Sequence, residues 1–572
     1  MKRLPEAGIV VAGGGWTGLL AAKELATRTT DRIVVVERGG ARKTADYLDD
    51  MDELDFAIRN RMSQEIRDET VTIRHSTGDR ALPVRQYGSF LNGAGVGGAG
   101  EQWSGISFRY TPEAFELRTR IEARYGSKRL PEDCAIQDWG ITYDEIEPYY
   151  WHAEQMLGLS GKAGNLRGRR IAGGNIFEGP RRFEYPTPPM KTLYLAAMFR
   201  DATARLGYHP YPLPAATTSQ PYTNPDRVSR AGCAYCGYCE RFGCMIGAKA
   251  QPTNVLMPVI RRRNNVELRP RSWVRRIVVE GGRARGVSYI DETGAEVFQP
   301  AAKVILASWA LNNTRLLLLS GIGEPYDPAT GKGTLGKNLT HQVSIPAAMA
   351  FFNDPLNRYM GAGAAGIAVS DYDGDVFDHA SLPFLGGGFL YTVCYGFRPM
   401  ANFGVLPPGV KTSWGSEWKK AALHWYDRTG RISFYGEHMA YRGNSMDLDP
   451  TYTDRHGDPL LRLTIDWRDN ERRMAEFMTA KAVEIARAMG AREITPFAGL
   501  KRYDATRYQG THIQGGTIMG ASPATSVVNT HMRHWQIENL FVLGASTYPQ
   551  NPSGNPTLTT LALTIRAAEK IV

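Results

Sequence analysis

The first forty residues commit the chain to one kind of fold. Ala7-Gly-Ile-Val-Val-Ala is an apolar strand, Gly13, Gly14 and Gly15 turn it, and Trp16 to Leu25 continues with helical periodicity. A second short apolar strand, Ile33-Val-Val-Val, completes a βαβ unit. Gly13, Gly15 and Gly18 stand at the G-x-G-x-x-G spacing on the strand-to-helix junction. There a backbone without Cβ atoms lets a pyrophosphate approach a helix N-terminus. Glu37 follows nineteen residues after Gly18, at the strand end where a carboxylate accepts hydrogen bonds from ribose hydroxyls. A dinucleotide-binding unit is therefore expected, with Gly13, Gly15, Gly18 and Glu37 at the ligand. The fingerprint alone leaves nicotinamide and flavin both open.

A second glycine run, Gly88 to Gly105, contains Gly95-Val-Gly-Gly and closes on Trp103 and Ser104. Aromatic and branched residues interrupt it, which is not the composition of a flexible linker. Gly95, Gly97 and Gly98 are expected to lie flat against a ring system or pyrophosphate, with Trp103 as a cap. The 572 residues are 42% hydrophobic, enough for large cores. No apolar run reaches the length of a membrane-spanning helix, and Met1 to Pro5 leads straight into a strand, so neither a spanning helix nor an export signal of its own is expected. The charge balance is +10. Acids are interleaved with the Arg and Lys residues, which reads as dispersed surface charge and argues against a nucleic-acid partner.

Further along, residues from about Tyr110 to Thr223 mix helical stretches with Pro-rich loops and read as an insertion. Val266 to Ile290 reads as a meander with a hairpin at Gly281-Gly282, and Lys303-Val-Ile-Leu-Ala as a buried strand feeding a Leu-rich helix. From about Thr340 to Leu500, strands alternate with Gly-rich turns and one long amphipathic helix. The last seventy residues return to a buried strand, a glycine turn and a helix. The expected division is a discontinuous nucleotide-binding domain, residues 1–110, 225–340 and 505–572, and a substrate domain with insertions, residues 111–224 and 341–504.

Cys233, Cys236, Cys239 and Cys244 fall on one loop, 232–247, and only Cys134 and Cys394 lie elsewhere. Such spacing turns several thiolates toward one centre, as in iron-sulfur ligation. Four thiolates also suit a structural zinc, and reduced thiols or disulfides are the remaining readings.

These motifs, together with Val304-Ile-Leu-Ala, Leu335-Gly-Lys-Asn-Leu and Asn551-Pro-Ser-Gly-Asn-Pro-Thr-Leu-Thr, run in one order over nearly the whole chain. In this the chain resembles the glucose-methanol-choline (GMC) flavin oxidoreductases. His512-Ile-Gln-Gly-Gly-Thr-Ile-Met-Gly and the Cys loop make it most similar to the branch containing the flavoprotein subunits of bacterial gluconate 2-dehydrogenase and fructose dehydrogenase. The resemblance implies a mixed α/β (α+β) fold: a Rossmann-type FAD-binding domain plus a substrate domain with an antiparallel sheet flanked by helices. It adds Gly544, Ala545, Asn555, Pro556 and Thr557 to the FAD-binding residues.

Oxidising an alcohol needs a base for the hydroxyl proton and a group that holds the oxygen; a neutral imidazole suits the first role. The resemblance assigns it to His512, and gives Asn555 the second, as an amide donor to the substrate oxygen. Gln102 occupies the position where some relatives carry the His that bonds FAD covalently, so non-covalent FAD is expected. Thr340-His341 departs from the Asp-His of many relatives and receives no role.

For the Cys loop the resemblance favours a three-iron (3Fe-4S) cluster, which needs only three of the thiolates of Cys233, Cys236, Cys239 and Cys244. The implied enzyme is a dehydrogenase of a sugar or sugar acid, D-gluconate to 2-keto-D-gluconate foremost. Electrons would leave through the cluster to a cytochrome c subunit, and a small subunit would carry the export signal. The complex would sit at the periplasmic face of the bacterial inner membrane, touching it only through partners. The alternative is a cytoplasmic, stand-alone oxidase that uses oxygen and has no redox cluster.

Overall fold

The computed structural model describes residues 1–47, 64–66, 70–86, 89–90, 92–394, 403–507 and 510–572. Gly88 and Leu91 of the second glycine run lie outside the described residues.

Ala7–Ala12 and Ile33–Val36 are almost wholly buried, as apolar runs in a parallel sheet covered on both faces must be. They pair in parallel with each other, and Val266–Arg269 extends the sheet beyond Ile33–Val36. On the other side lies Glu296–Leu306, an 11-residue strand long enough to serve two partners in succession. Its C-terminal half runs parallel to Ala7–Ala12 on one edge and to Leu540–Val542 on the other. Its N-terminal half pairs antiparallel with Arg283–Ile290, which pairs in turn with Trp273–Glu280. Gly281 and Gly282 join those two strands with positive φ, 58° and 72°, as a two-residue hairpin turn requires.

A six-stranded antiparallel sheet forms the second body, in the order Glu493–Pro496, Val343–Phe351, Thr429–Gly436, Gly388–Val393, Gly366–Val369, Tyr211–Pro212. The helices Asp469–Ala488 and Tyr194–Arg205 cover it, and their apolar stripes (Met474, Met478, Ala482, Ile485; Leu195, Phe199) join its core. The molecule is thus a mixed α/β fold with an antiparallel sheet flanked by helices. Thr72–Arg74, from the N-terminal part, runs parallel to Pro459–Thr464 and so ties the two halves of the chain together.

Helix Tyr143–Leu157 packs into the core of the parallel sheet, against helix Thr557–Ile571. A reciprocal capping box between Thr142 and Glu145 starts it. Its Glu154 carboxylate takes two bonds from Arg109, 2.7 and 2.8 Å, and one of 2.6 Å from Arg181. This buried triad fastens three segments of the chain to one another. Among the described residues no helix is long and apolar enough to cross a membrane.

Candidate active site

The three fingerprint glycines serve three different needs. Gly13 has φ +109°, and a Cβ there would lie 2.3 Å from the Ala307 carbonyl oxygen. At Gly18 a Cβ would lie 1.9 Å from the Gly13 carbonyl, so this glycine lets the helix Trp16–Leu25 sit on the turn. A Cβ on Gly15 would meet only the Gly97 carbonyl, at 3.9 Å, and would otherwise project into open space. Gly15 is also the N-cap of that helix, with no side chain capping it, so amides at its positive end remain for an anion. Glu37 accepts from the N–H groups of Gly14 (2.7 Å), Gly39 (2.8 Å) and Gly95 (3.2 Å), tying the first glycine turn to the second. Burial raises its pKa, and those N–H groups pull it back.

Gly13, Gly15, Trp16, Glu37, Gly97 and Gly98 line a cavity of about 240 Å³. A second cavity, of about 210 Å³, contains Gln102, Trp103, Ser104, His512, Asn555, Pro556 and Thr557. Trp16, Asn92, Ala99, Gly100 and Trp309 belong to both walls, so the two make one elongated groove. The groove is bounded at one end by the glycine turn and at the other by the N-terminus of helix Thr557–Ile571. Two buried polar atoms on it, Trp16 Nε1 and Asn555 Oδ1, find no partner among the described residues. The open side of Gly15 and these unmatched atoms fit an elongated dinucleotide, with its reactive ring at the histidine end.

His512 precedes the short strand Ile513–Gln514, which pairs antiparallel with Thr340–His341. The pairing brings Gln342 beside the imidazole, Oε1 2.5 Å from His512 Nδ1. Gln342 Nε2 donates to the carbonyls of Pro552 (2.9 Å), Ser553 (2.5 Å) and Gly554 (2.9 Å). His512 Nε2 faces Asn555 Nδ2 at 3.3 Å, and Asn551 Nδ2 donates to the His512 carbonyl at 2.7 Å. Tyr435 stands edge-on to the imidazole, 5.6 Å between centroids. Burial lowers the His512 pKa to about 4, so the ring is neutral at ordinary pH and has one nitrogen lone pair to accept a proton.

The Cys loop abuts the same end of the groove. Glu240 and Arg241 line the cavity that holds His512, and Arg241 N–H donates to the Gln102 carbonyl at 2.7 Å. Lys249 is fully buried, and its ammonium donates to the carbonyls of Glu101, Trp103, Cys239 and Phe242 at 2.7 to 3.2 Å, bridging groove wall and loop. Cys233 and Cys236 are half-buried, Cys239 and Cys244 buried, and all are free thiols. Burial pushes Cys233 up to about 11 and Cys239 to about 12. In chemistry this donor set suits a thiolate-bound metal group. In position it does not: among the described residues no three His, Cys, Asp or Glu side chains converge on a metal position.

Of the other residues singled out in the sequence, Gly18 and Gly95 stand behind the groove wall, the first under the helix and the second on Glu37. Gly544 and Ala545 line neither cavity. Gly544 has φ +110°, and the Ala545 carbonyl accepts from Gly515 N–H at 3.1 Å, so the two shape the loop that carries His512. His341 lines the histidine end, with Nδ1 2.7 Å from Tyr503 Oη. Sequence reasoning missed Gln342, although it directly follows the Thr340-His341 pair; nothing in the sequence aims it at residue 512. It also missed Trp309, at φ +73° on both cavity walls, because a left-handed tryptophan has no sequence signature.

Models of the N- and C-terminal regions of GMC oxidoreductases match residues 213–344 and 440–564. The chain is 42% identical to the gluconate 2-dehydrogenase flavoprotein of Pantoea cypripedii, covering 100% of this chain and 94% of that protein. It is 27% identical to the fructose dehydrogenase large subunit of Gluconobacter japonicus, over 84% of this chain and 80% of that one. Among solved structures, pyridoxine 4-oxidase from Mesorbium loti has the same fold, with a TM-score of 0.58 at 19% identity over 99% of both chains. The chain belongs to the GMC oxidoreductase family, and it is an FAD-dependent oxidoreductase acting on CH–OH groups.

Proposed function

We propose that the protein is the catalytic flavoprotein subunit of a dehydrogenase for a sugar or sugar acid, with D-gluconate, oxidised to 2-keto-D-gluconate, as the first candidate. The observation that carries this reading is the pairing of His512 Nε2 with Asn555 Nδ2, 3.3 Å apart, at the end of a groove continuous with the nucleotide-binding turn. A substrate hydroxyl in the cavity facing both gives its proton to His512 Nε2 while the Asn555 amide holds the oxygen. Bound FAD supplies the hydride acceptor, flavin N5. Arg241, the one guanidinium on this cavity's wall among the described residues, suits the carboxylate of a sugar acid.

The finer features of the proposal lie around the Cys loop. Three of Cys233, Cys236, Cys239 and Cys244 would hold an iron-sulfur cluster, 3Fe-4S in the preferred form. Such a cluster supplies a one-electron carrier beside the groove. A cytochrome c subunit would then be the acceptor, with a small subunit bringing the export signal and the complex lying at the periplasmic face of the inner membrane. The similarity to a protein named as a large subunit supports partner subunits in general.

The test is anaerobic mixing of FAD-loaded protein with D-gluconate, alongside iron, zinc and acid-labile sulfide per flavin. Rapid bleaching of the flavin and about three irons per flavin with sulfide support the proposal. The second reading is a cytoplasmic, stand-alone oxidase that passes electrons to oxygen and has no redox cluster. Fast turnover with oxygen in iron-free protein would establish that reading and overturn the first.

A further inference from the structure

We infer that Gln342 is a positioning residue that fixes His512 in one neutral tautomer, with the proton on Nδ1 and the lone pair on Nε2. The inference rests on the reading of His512 as the base. It starts from three carbonyl oxygens, those of Pro552, Ser553 and Gly554, gathered within 2.5 to 2.9 Å of one end of the Gln342 amide. Carbonyls only accept, so that end must be the NH₂ group; turned over, the amide would set its oxygen against three others. The opposite end is then necessarily the carbonyl Oε1, which has no proton to give. It lies 2.5 Å from His512 Nδ1, so Nδ1 must be the donor.

A neutral imidazole carries one proton. Held on Nδ1, it leaves Nε2 with a lone pair directed at Asn555 Nδ2, a donor, and at the cavity where a substrate hydroxyl would sit. The opposite tautomer would place N–H groups of His512 and Asn555 face to face and leave two lone pairs together at Nδ1 and Oε1. The same amide also ties the Pro552–Gly554 backbone, directly preceding Asn555, to the strand that follows His341. Gln342 therefore sets both members of the catalytic pair at once: the tautomer of one and the backbone of the other. Gln342 is fully buried, so water does not compete for these bonds.

The experiment uses FAD-loaded protein with ¹⁵N-labelled histidine, the His512 signal being the one lost in His512→Ala. In the native protein at neutral pH the Nδ1–H tautomer is expected, and an Nε2–H tautomer overturns the inference without any variant at Gln342. Gln342→Met removes both ends of the amide at nearly constant volume. Its expected outcome is flavin reduction slowed by about a hundred-fold or more, as when the orienting partner of a catalytic histidine is lost. Retained FAD and a His512 signal moved toward Nε2–H should accompany it. An unchanged rate with an unchanged signal overturns the inference. If Gln342→Met does not fold, the native tautomer alone decides. Failure of the base reading is separate: it would appear as normal flavin reduction in His512→Ala.

Discussion

Gly15 and Gly97 face each other as a parallel bridge across the nucleotide end of the groove, and the Gly97 N–H donates to the carbonyl of Gly14 at 2.7 Å. Two glycine runs separated by most of the first hundred residues thus form one continuous floor. Gly15 is the position on that floor where a side chain would enter the ligand's space without touching protein.

Gly15→Ala is therefore expected to fold with an unchanged apo unfolding temperature and to lose FAD. Gly18→Ala should fail to fold, because its Cβ would meet the Gly13 carbonyl at 1.9 Å. Flavin-to-protein absorbance and thermal unfolding of apo protein separate the two. A yellow, fully loaded Gly15→Ala protein would show that no phosphate approaches this turn.

The pH dependence of flavin reduction follows from His512. Burial lowers its pKa to about 4, so the base is lost only as pH falls through that value. Above it the His-dependent rate should stay flat through neutrality. An inflection near the free-imidazole value of about 6.5, abolished by His512→Ala, would mean that the ring is solvated in the working enzyme.

Glu154 lies between Arg109 and Arg181, all three side chains at most 2% exposed. Burial pushes its pKa up, but the two guanidinium charges outweigh burial and hold it below the ordinary 4.5. A depressed carboxyl contributes stability above its unfolded pKa and loses it as pH falls through the folded value, so this contribution is present at neutrality and disappears in acid. Glu154→Ala leaves Arg109 with Glu147 and Arg181 with Glu178 as their remaining carboxylates; with each buried cation short of its main partner it should cost about 3–5 kcal/mol, read as a shift in urea midpoint. A shift below about 1 kcal/mol would mean that water reaches the pair.

Gln102 lines the histidine end of the groove beside Trp103. Lacking the imidazole that forms a covalent link in some relatives, it should leave the flavin free. Acid precipitation is expected to release all the yellow colour into the supernatant. Flavin retained in the washed pellet would point to another attachment residue.

How much of this was legible in the sequence depends on how far apart the participating residues lie. The βαβ unit and its glycines could be read directly, because the need for each glycine arises within a few residues of chain: a left-handed turn at Gly13, a helix seated at Gly18. His512 and Asn555 could be named as a pair from family motifs, and the Cys loop from spacing. Spacing says which thiols share a loop; it carries no information on whether their sulfurs converge, and here they do not. Gln342 lies 170 residues from His512. Its role exists only because Thr340–His341 pairs in one register with Ile513–Gln514, and a slip of one residue would turn the amide to the other face. Local sequence determined where backbone must bend and approach closely; long-range strand pairing decided which polar groups meet, and so that the Gln342 amide reaches His512 Nδ1.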